Sequence, residues 1–193
     1  MDEDRLMSRT FLRPWKTLSR QVVYNQGKFL RVETHTIELP DGEVIPDWPW
    51  VIAPDAVNVI AQTIEGKIIC FRQTKYAVDG LTLAPVGGML EPGEEPLAAA
   101  RRELLEETGY EAPQWDSLGG YALEPNRGVN MVYLFLARQA YKVADADADD
   151  LEEQQILFLD RDELQAALFA GEFKTVMWTS AAAMALLYLD ADT

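Results

Sequence analysis

The chain has one cysteine and one histidine among its 193 residues. A single cysteine, Cys70, allows no intrachain disulfide. It lies in the apolar run Lys67-Ile68-Ile69-Cys70-Phe71, where a thiol is expected to pack as a small hydrophobe rather than serve as a nucleophile. His35 lies in the alternating stretch Arg31-Val32-Glu33-Thr34-His35-Thr36 and is expected on a strand surface. So little of either residue disfavours zinc sites built from His and Cys. A Ser-His-Asp triad would have to use His35, and nothing nearby supports one. Basic residues are also scarce: 17 Lys and Arg face 32 Asp and Glu, a net charge of -15. Double-stranded nucleic acid and anionic membranes are poor partners for such a chain. If it acts on phosphates, it needs cations to screen the repulsion. No apolar run reaches the roughly 18 residues of a membrane span. The first residues, Met1-Asp2-Glu3-Asp4-Arg5, are acidic and lack the apolar core of a secretory signal. The expectation is a cytoplasmic protein that binds neither nucleic acid nor membrane.

What is present is ordinary for a globular chain, with 48% hydrophobic and 25% charged residues. Residues 1 to about 18 show no period and read as a loose arm. From Gln21 the pattern is β-like, with turns at Asn25-Gln26-Gly27-Lys28 and Pro40-Asp41-Gly42-Glu43. The return from Val44 to Ile52 carries Pro46, Trp48, Pro49 and Trp50, so it reads as an edge strand or an irregular one. A buried hairpin is expected over 55–74, turning at Glu65-Gly66-Lys67, then a short strand over 81–86. A helix is expected from Pro96, a favoured first-turn residue, to Gly109, a natural stop. Strands near 115–123 and 130–137 follow, joined by Glu124-Pro125-Asn126-Arg127-Gly128. The acidic stretch 145–153 reads as a solvated loop. After it come a strand over 155–159, a helix capped by Asp160 that stops at Gly171, and an Ala-rich helix over 175–189 expected to pack on a sheet or a partner.

The segment that carries chemistry runs from Gly88 to Tyr110. It places Glu103, Glu106 and Glu107 at i, i+3 and i+4, on one face of the expected helix. Like charges at this spacing repel, so a fold that keeps them together needs a cation among them. Their oxygens suit a hard divalent ion, Mg²⁺ or Mn²⁺. Arg102, on a neighbouring face, is expected to pair with Glu94 and tie the preceding loop to the helix. A loop carbonyl near Gly87 can complete a metal shell. A solvated acidic helix face would also explain the three glutamates taken alone.

The full string decides between these readings. Gly88, Glu94, Arg102-Glu103, Leu104, Glu106-Glu107, Gly109 and Tyr110 stand at the spacing of the signature of the Nudix hydrolases, which the chain resembles. Seven fixed positions match by chance with odds on the order of one in 10⁷, at average residue usage of about 6%. The final position is Tyr110, where the family has an aliphatic residue. The resemblance implies an α/β fold: the Nudix α/β/α sandwich around a mixed sheet, here preceded by an N-terminal antiparallel β-meander. It implies residues 1–52 as arm and meander, for dimerisation and possible base binding, and 53–193 as the catalytic domain. It also implies hydrolysis of a nucleoside diphosphate linked to another group, with Glu106 and Glu107 as metal ligands. Glu103 would be a ligand or would position water, while Gly88, Glu94, Arg102 and Gly109 would be structural.

Beyond the signature, the chain is similar to the ADP-ribose pyrophosphatase branch. The meander, Pro125 at fifteen residues after Tyr110, and the Gly171-Glu172-Phe173 ending carry that likeness. The branch implies a homodimer through the N-terminal sheet and a small-molecule substrate of the nucleoside diphosphate class. It implies Trp48 and Trp50 as base-stacking candidates, and Arg72 and Arg127 as substrate contacts. A carboxylate from a late loop is expected as base, with Glu152 and Glu153 the candidates and Asp149 and Asp150 their competitors. Three departures leave the substrate open. Ala84-Pro85-Val86-Gly87 lacks the usual acid, Gln73-Thr74-Lys75-Tyr76 replaces Gln-Tyr-Arg, and Asn126-Arg127-Gly128 replaces a Pro-Gly followed by an acid. The alternatives are a hydrolase of dinucleoside polyphosphates or modified nucleotides, and a regulator that binds a nucleotide sugar without cleaving it.

Overall fold

The computed structural model describes residues 12–147 and 153–191. Strand structure begins earlier than the alternation suggests: β1 spans Lys16–Gln26, where a loose arm was expected to persist to about residue 18. All eleven of its residues are exposed, so it carries no period-2 burial signal. The chain divides into two compact units. One comprises the described residues up to Ala53 with Glu124–Val129; the other comprises Pro54–Leu123 with the described residues from Asn130 onward.

In the first unit β1 pairs antiparallel with β2 (Leu30–Glu38), which pairs antiparallel with β3 (Val44–Ile52). The prolines of β3 are accommodated in a simple way. Its second edge pairs only at Val51 and Ile52, beyond the last proline, with Gly128 and Val129 at the start of β10 (Gly128–Lys142). Over its proline-bearing length β3 therefore behaves as an edge strand. His35 corrects the sequence expectation. It is buried, 3% exposed, and its Nε2 lies 2.8 Å from Glu33 Oε2. Glu33, His35 and Ile37 form the covered face of β2, because each polar group there is satisfied by a neighbour. Arg31 Nε completes the chain at 3.0 Å from Glu33, and the His35 ring stacks on Trp50 with centroids 5.2 Å apart. The hydrogen bond from His35, then the charge of Arg31, hold the Glu33 carboxyl below its usual range despite burial.

The second unit is a mixed sheet between helices. β4 (Ala56–Thr63) runs parallel to β10 and antiparallel to β5 (Ile68–Lys75), which pairs antiparallel with β11 (Gln154–Leu159). β6 (Val78–Ala84) pairs with β5, and β8 (Tyr110–Glu111) and β9 (Gln114–Glu124) pair with β10. β7 (Val86–Met89) pairs antiparallel with β4. Its Gly-Gly pair conceals this strand at the sequence level. α1 (Pro96–Thr108) buries Ala99, Ala100 and Leu104 against Val57, Val59, Ile69, Phe71 and Val86 on one face. α2 (Arg161–Phe169) and α3 (Val176–Ala191) cover the other. Leu164, Ala181, Ala182 and Ala185 there meet Ile60, Ile68, Cys70, Leu134 and Leu136. This is the expected α/β/α sandwich. Burial pushes the Cys70 thiol up to about 12, consistent with an inert packed cysteine. α2 starts at a full capping box between Asp160 and Glu163, which satisfies two of its free backbone donors.

Candidate active site

α1 is fixed at both ends, and this places its carboxylates. Pro96 opens the helix at its first turn. Gly109 closes it at φ 73°, its N–H donating to Leu105 O at 2.7 Å. With Ala99, Ala100, Leu104 and Thr108 turned inward, Glu103, Glu106 and Glu107 fall on the flank facing β7. The Gly87 N–H donates to Glu107 Oε2 at 3.0 Å. A Cβ on Gly88 would lie 2.2 Å from Glu103 Oε1, so the missing side chain is the space that Glu103 occupies.

Arg102 resolves the repulsion foreseen among the glutamates. Its Nε donates to Glu94 Oε1 at 2.9 Å, and its Nη2 to Glu94 Oε2 at 3.0 Å and Met89 O at 3.2 Å. Its Nη1 donates to Glu103 Oε1 at 2.8 Å and Glu106 Oε2 at 3.0 Å. A guanidinium has five N–H bonds, and all five are committed. The hydrogen bonds from Arg102 hold the Glu94 carboxyl below its ordinary value, and Glu94 in turn raises Arg102 further. The loop before α1 is thereby tied to the helix.

Among the described residues, no three His, Cys, Asp or Glu side chains converge as a ready cation shell. The donor set nevertheless fits a hard divalent ion. Glu103 and Glu106 already reach one common cationic atom, Arg102 Nη1, which stands where positive charge is needed between them. Every candidate donor is oxygen, and the half-exposed Glu106 leaves solvent access.

A second feature of this site had no sequence signal. The Gly109 carbonyl accepts N–H groups from Val143 at 2.9 Å and Ala144 at 3.2 Å, and the Glu106 carbonyl accepts that of Asp147 at 2.8 Å. The start of the acidic late loop is thus stitched to the end of the glutamate helix. Gly109 is required here twice: a Cβ would lie 2.1 Å from Ala144 O, and its φ is positive. Glu153 is exposed just before β11. Glu152, Asp149 and Asp150 lie outside the described residues.

Residues 52–179 match the NUDIX domain model. The chain belongs to the Nudix family. Its residues 15–51 match the nucleoside diphosphate sugar hydrolase N-terminal domain. This Nudix hydrolase is 31% identical to the ADP-ribose pyrophosphatase of Bacillus subtilis (strain 168), over 90% of this chain and 91% of the relative. It is 33% identical to the methanol dehydrogenase activator of Bacillus methanolicus, over 72% of this chain and 74% of that one. It is 29% identical to the CMP-5'-(N-acetyl-N-hydroxy-3-aminopropyl)phosphonate hydrolase of Streptomyces rubellomurinus (strain ATCC 31215), over 90% and 81%. A crystal structure of an ADP compounds hydrolase shares the fold, with TM-score 0.73 at 19% identity, covering 94% of this chain and 97% of that one. Nudix hydrolases generally use divalent metals, in keeping with the oxygen donors on α1.

The remaining candidates of this Nudix hydrolase separate into two places. In the first unit Trp48, Trp50 and the loop carrying Arg127 come together. Trp48 Nε1 donates to Asn126 O at 2.7 Å, and Val51 N–H donates to Arg127 O at 2.8 Å. A Cβ on Gly128 would lie 2.6 Å from the Trp50 ring. Trp15 meets Trp48 edge-on, with centroids 5.2 Å apart. In the second unit Arg72 lies 3.8 Å from Glu172. It follows Ile68 and Cys70 in the alternation of β5, and both belong to the α2–α3 side. Arg72 is therefore on the sheet face opposite the glutamates of α1.

Among the described residues no helix is long and apolar enough to cross a membrane.

Proposed function

We propose that the chain hydrolyses, with a divalent metal, the pyrophosphate of a nucleoside diphosphate-linked substrate. ADP-ribose or another nucleotide sugar is the leading candidate, and the products are a nucleoside monophosphate and a sugar phosphate. The observation that carries this reading is the carboxylate flank of α1, ordered by Arg102 and Glu94. The named activity of the 31% identical relative supports the substrate class. Glu106 and Glu107 hold Mg²⁺ or Mn²⁺, with Glu103 as a further ligand or as the acceptor that orients a water, and with a backbone contribution at Gly87. Such an ion offsets phosphate charge and lowers the pKa of a bound water. Arg102 keeps Glu103 and Glu106 in register, and Glu94 keeps Arg102 in place. Glu152 or Glu153, at the end of the loop stitched to Gly109, removes the proton of the attacking water. Trp48 and Trp50 offer an aromatic surface to the base, while Arg127 serves as a phosphate or sugar contact; Arg72, on the opposite sheet face, is set aside.

Residues 1–52 act as a dimerisation and binding segment and 53–193 as the catalytic domain, with the protein working in the cytoplasm. A homodimer through the N-terminal sheet is supported by β1. Among the described residues it pairs with β2 alone and leaves Leu18, Val22, Val23 and Tyr24 about half exposed. Such an apolar edge is usually covered. The phosphonate hydrolase relative, named for a CMP-linked compound, favours a second reading in which the base is cytosine.

The test is a turnover screen with Mg²⁺ and with Mn²⁺ over ADP-ribose, other nucleotide sugars, dinucleoside polyphosphates and oxidised nucleotides, with products identified. Metal-dependent release of a nucleoside monophosphate and a sugar phosphate is expected. Ligand-dependent melting shifts with no product across the panel would overturn the reading in favour of a binding regulator.

A further inference from the structure

A cavity of about 380 Å³ lies beside α1, lined by Arg101, Arg102, Leu105, Glu111, Ala112 and Trp115. Two consecutive arginines line it, but they are not equivalent. Arg102 has every donor committed to Glu94, Glu103, Glu106 and Met89, so it offers the cavity only a wall. Arg101 has no carboxylate partner among the described residues. Its guanidinium lies over the Trp115 ring, 5.9 Å from the centroid. That ring is itself fixed. Its Nε1 donates to Ala112 O at 2.9 Å, and the Phe135 ring meets it at 77° with centroids 6.3 Å apart.

The chain has 32 acidic residues for 17 basic ones. Arg101 nevertheless lacks a carboxylate partner among the described residues, and its guanidinium is placed over the Trp115 ring. A guanidinium placed over an aromatic ring and free of a carboxylate can offer its N–H groups to a planar or tetrahedral oxyanion. Leu105, Ala112 and the edge of Trp115 give apolar surface for an organic body, and Glu111 gives an acceptor for its hydroxyls. The volume is at the lower end of small-molecule pockets, about 300–1,000 Å³.

We propose that this cavity binds a small organic phosphate monoester, held through Arg101, at a site separate from the carboxylate flank of α1. Its chemistry is that of either product named under Proposed function, a nucleoside monophosphate or a sugar phosphate. The proposal rests on that reading only for the choice of probes. Arg102 forms both a wall of this cavity and the clamp on Glu103 and Glu106.

The experiment is calorimetric binding of AMP, ribose 5-phosphate and inorganic phosphate to the full chain in EDTA, where no turnover occurs. Saturable binding of one ester is expected, and the tighter ester identifies the source. Arg101→Gln is expected to weaken it about tenfold or more, the scale of one lost charge-assisted fork. Arg101→Lys is expected to restore only part of it, because the planar fork and the stacking are lost. Both variants should melt like the parent, since Arg101 is exposed and holds no ion pair among the described residues. Glu106→Gln should leave this binding intact, which separates the cavity from the proposed catalytic site. Three results would each overturn the proposal: ester binding unchanged in Arg101→Gln, no saturation up to about 1 mM, or inorganic phosphate binding as tightly as the esters. None of them bears on turnover, so the proposed function would stand or fall separately.

Discussion

The glutamate flank of α1 and the tryptophan face of the N-terminal strands are held together by different forces. On α1 a single guanidinium with five committed donors organises three carboxylates and a backbone carbonyl. The parts are close in sequence, and charge sets their positions. On the N-terminal face, Trp48 and Trp50 are placed by ring packing and by a hydrogen bond from the Trp48 indole to a loop carbonyl 78 residues away. Shape does there what charge does on α1. The first region should therefore respond to charge substitutions and pH, and the second to changes of side-chain outline.

The largest effect on folding is expected where the helix and the late loop share one residue. Gly109→Ala places a Cβ against a backbone carbonyl and demands a left-handed conformation. It should destabilise the chain by about 3 kcal/mol, read as a lower midpoint in urea. A loss under about 0.5 kcal/mol would show that the loop contacts at Gly109 are dispensable.

Next in size is Arg102→Met, expected to cost about 2 kcal/mol because Glu94 and Glu103 lose the charge-assisted hydrogen bonds it donates. The pH dependence gives the sharper reading. Glu94 titrates lower in the folded chain than its ordinary value of 4.5. The unfolded chain therefore takes up the proton first, and stability falls as pH drops from about that value through the folded one. Removing Arg102 should raise the folded Glu94 pKa back toward the unfolded one and so flatten this loss. An unchanged acid limb would mean that the clamp contributes nothing to folding.

The smallest effect is predicted for Trp48→Phe, about 1 kcal/mol for one lost hydrogen bond to Asn126 O. Its signature is local. The amides of Val51 and Ala53, which donate to Arg127 O and Val129 O, should exchange faster, with the acid limb unchanged. Unaltered exchange at both would show that the indole does not hold the loop.

The two regions also differ in how far their sequences disclose them. The spacing 103, 106, 107 specifies a shared helix flank whatever the tertiary context, and Arg102 reaches Glu94 across eight residues. By contrast, the meeting of Trp48 with Asn126 depends on β10 starting beside β3, which no local period encodes. His35 was misplaced for a related reason. Alternation separates the two faces of β2 but not which one is covered, and a Glu-His pair that satisfies itself looks like a wet face. β1 hid its start because it buries neither face, and β7 hid because two glycines read as a loop. The seam from Gly109 to Ala144 is made of backbone groups, which leave no trace in side-chain patterns.

The central claim is that the α1 carboxylates hold the cation on which turnover depends. Mn²⁺ titration followed by electron paramagnetic resonance, run beside turnover of a nucleotide sugar, tests it most directly. In the parent chain bound Mn²⁺ and rate should rise together. In Glu106→Gln the rate at matched metal should fall about 10²–10³-fold, the scale of one lost transition-state charge interaction, with the fold intact by circular dichroism. Full Mn²⁺-dependent turnover in Glu106→Gln would contradict the account.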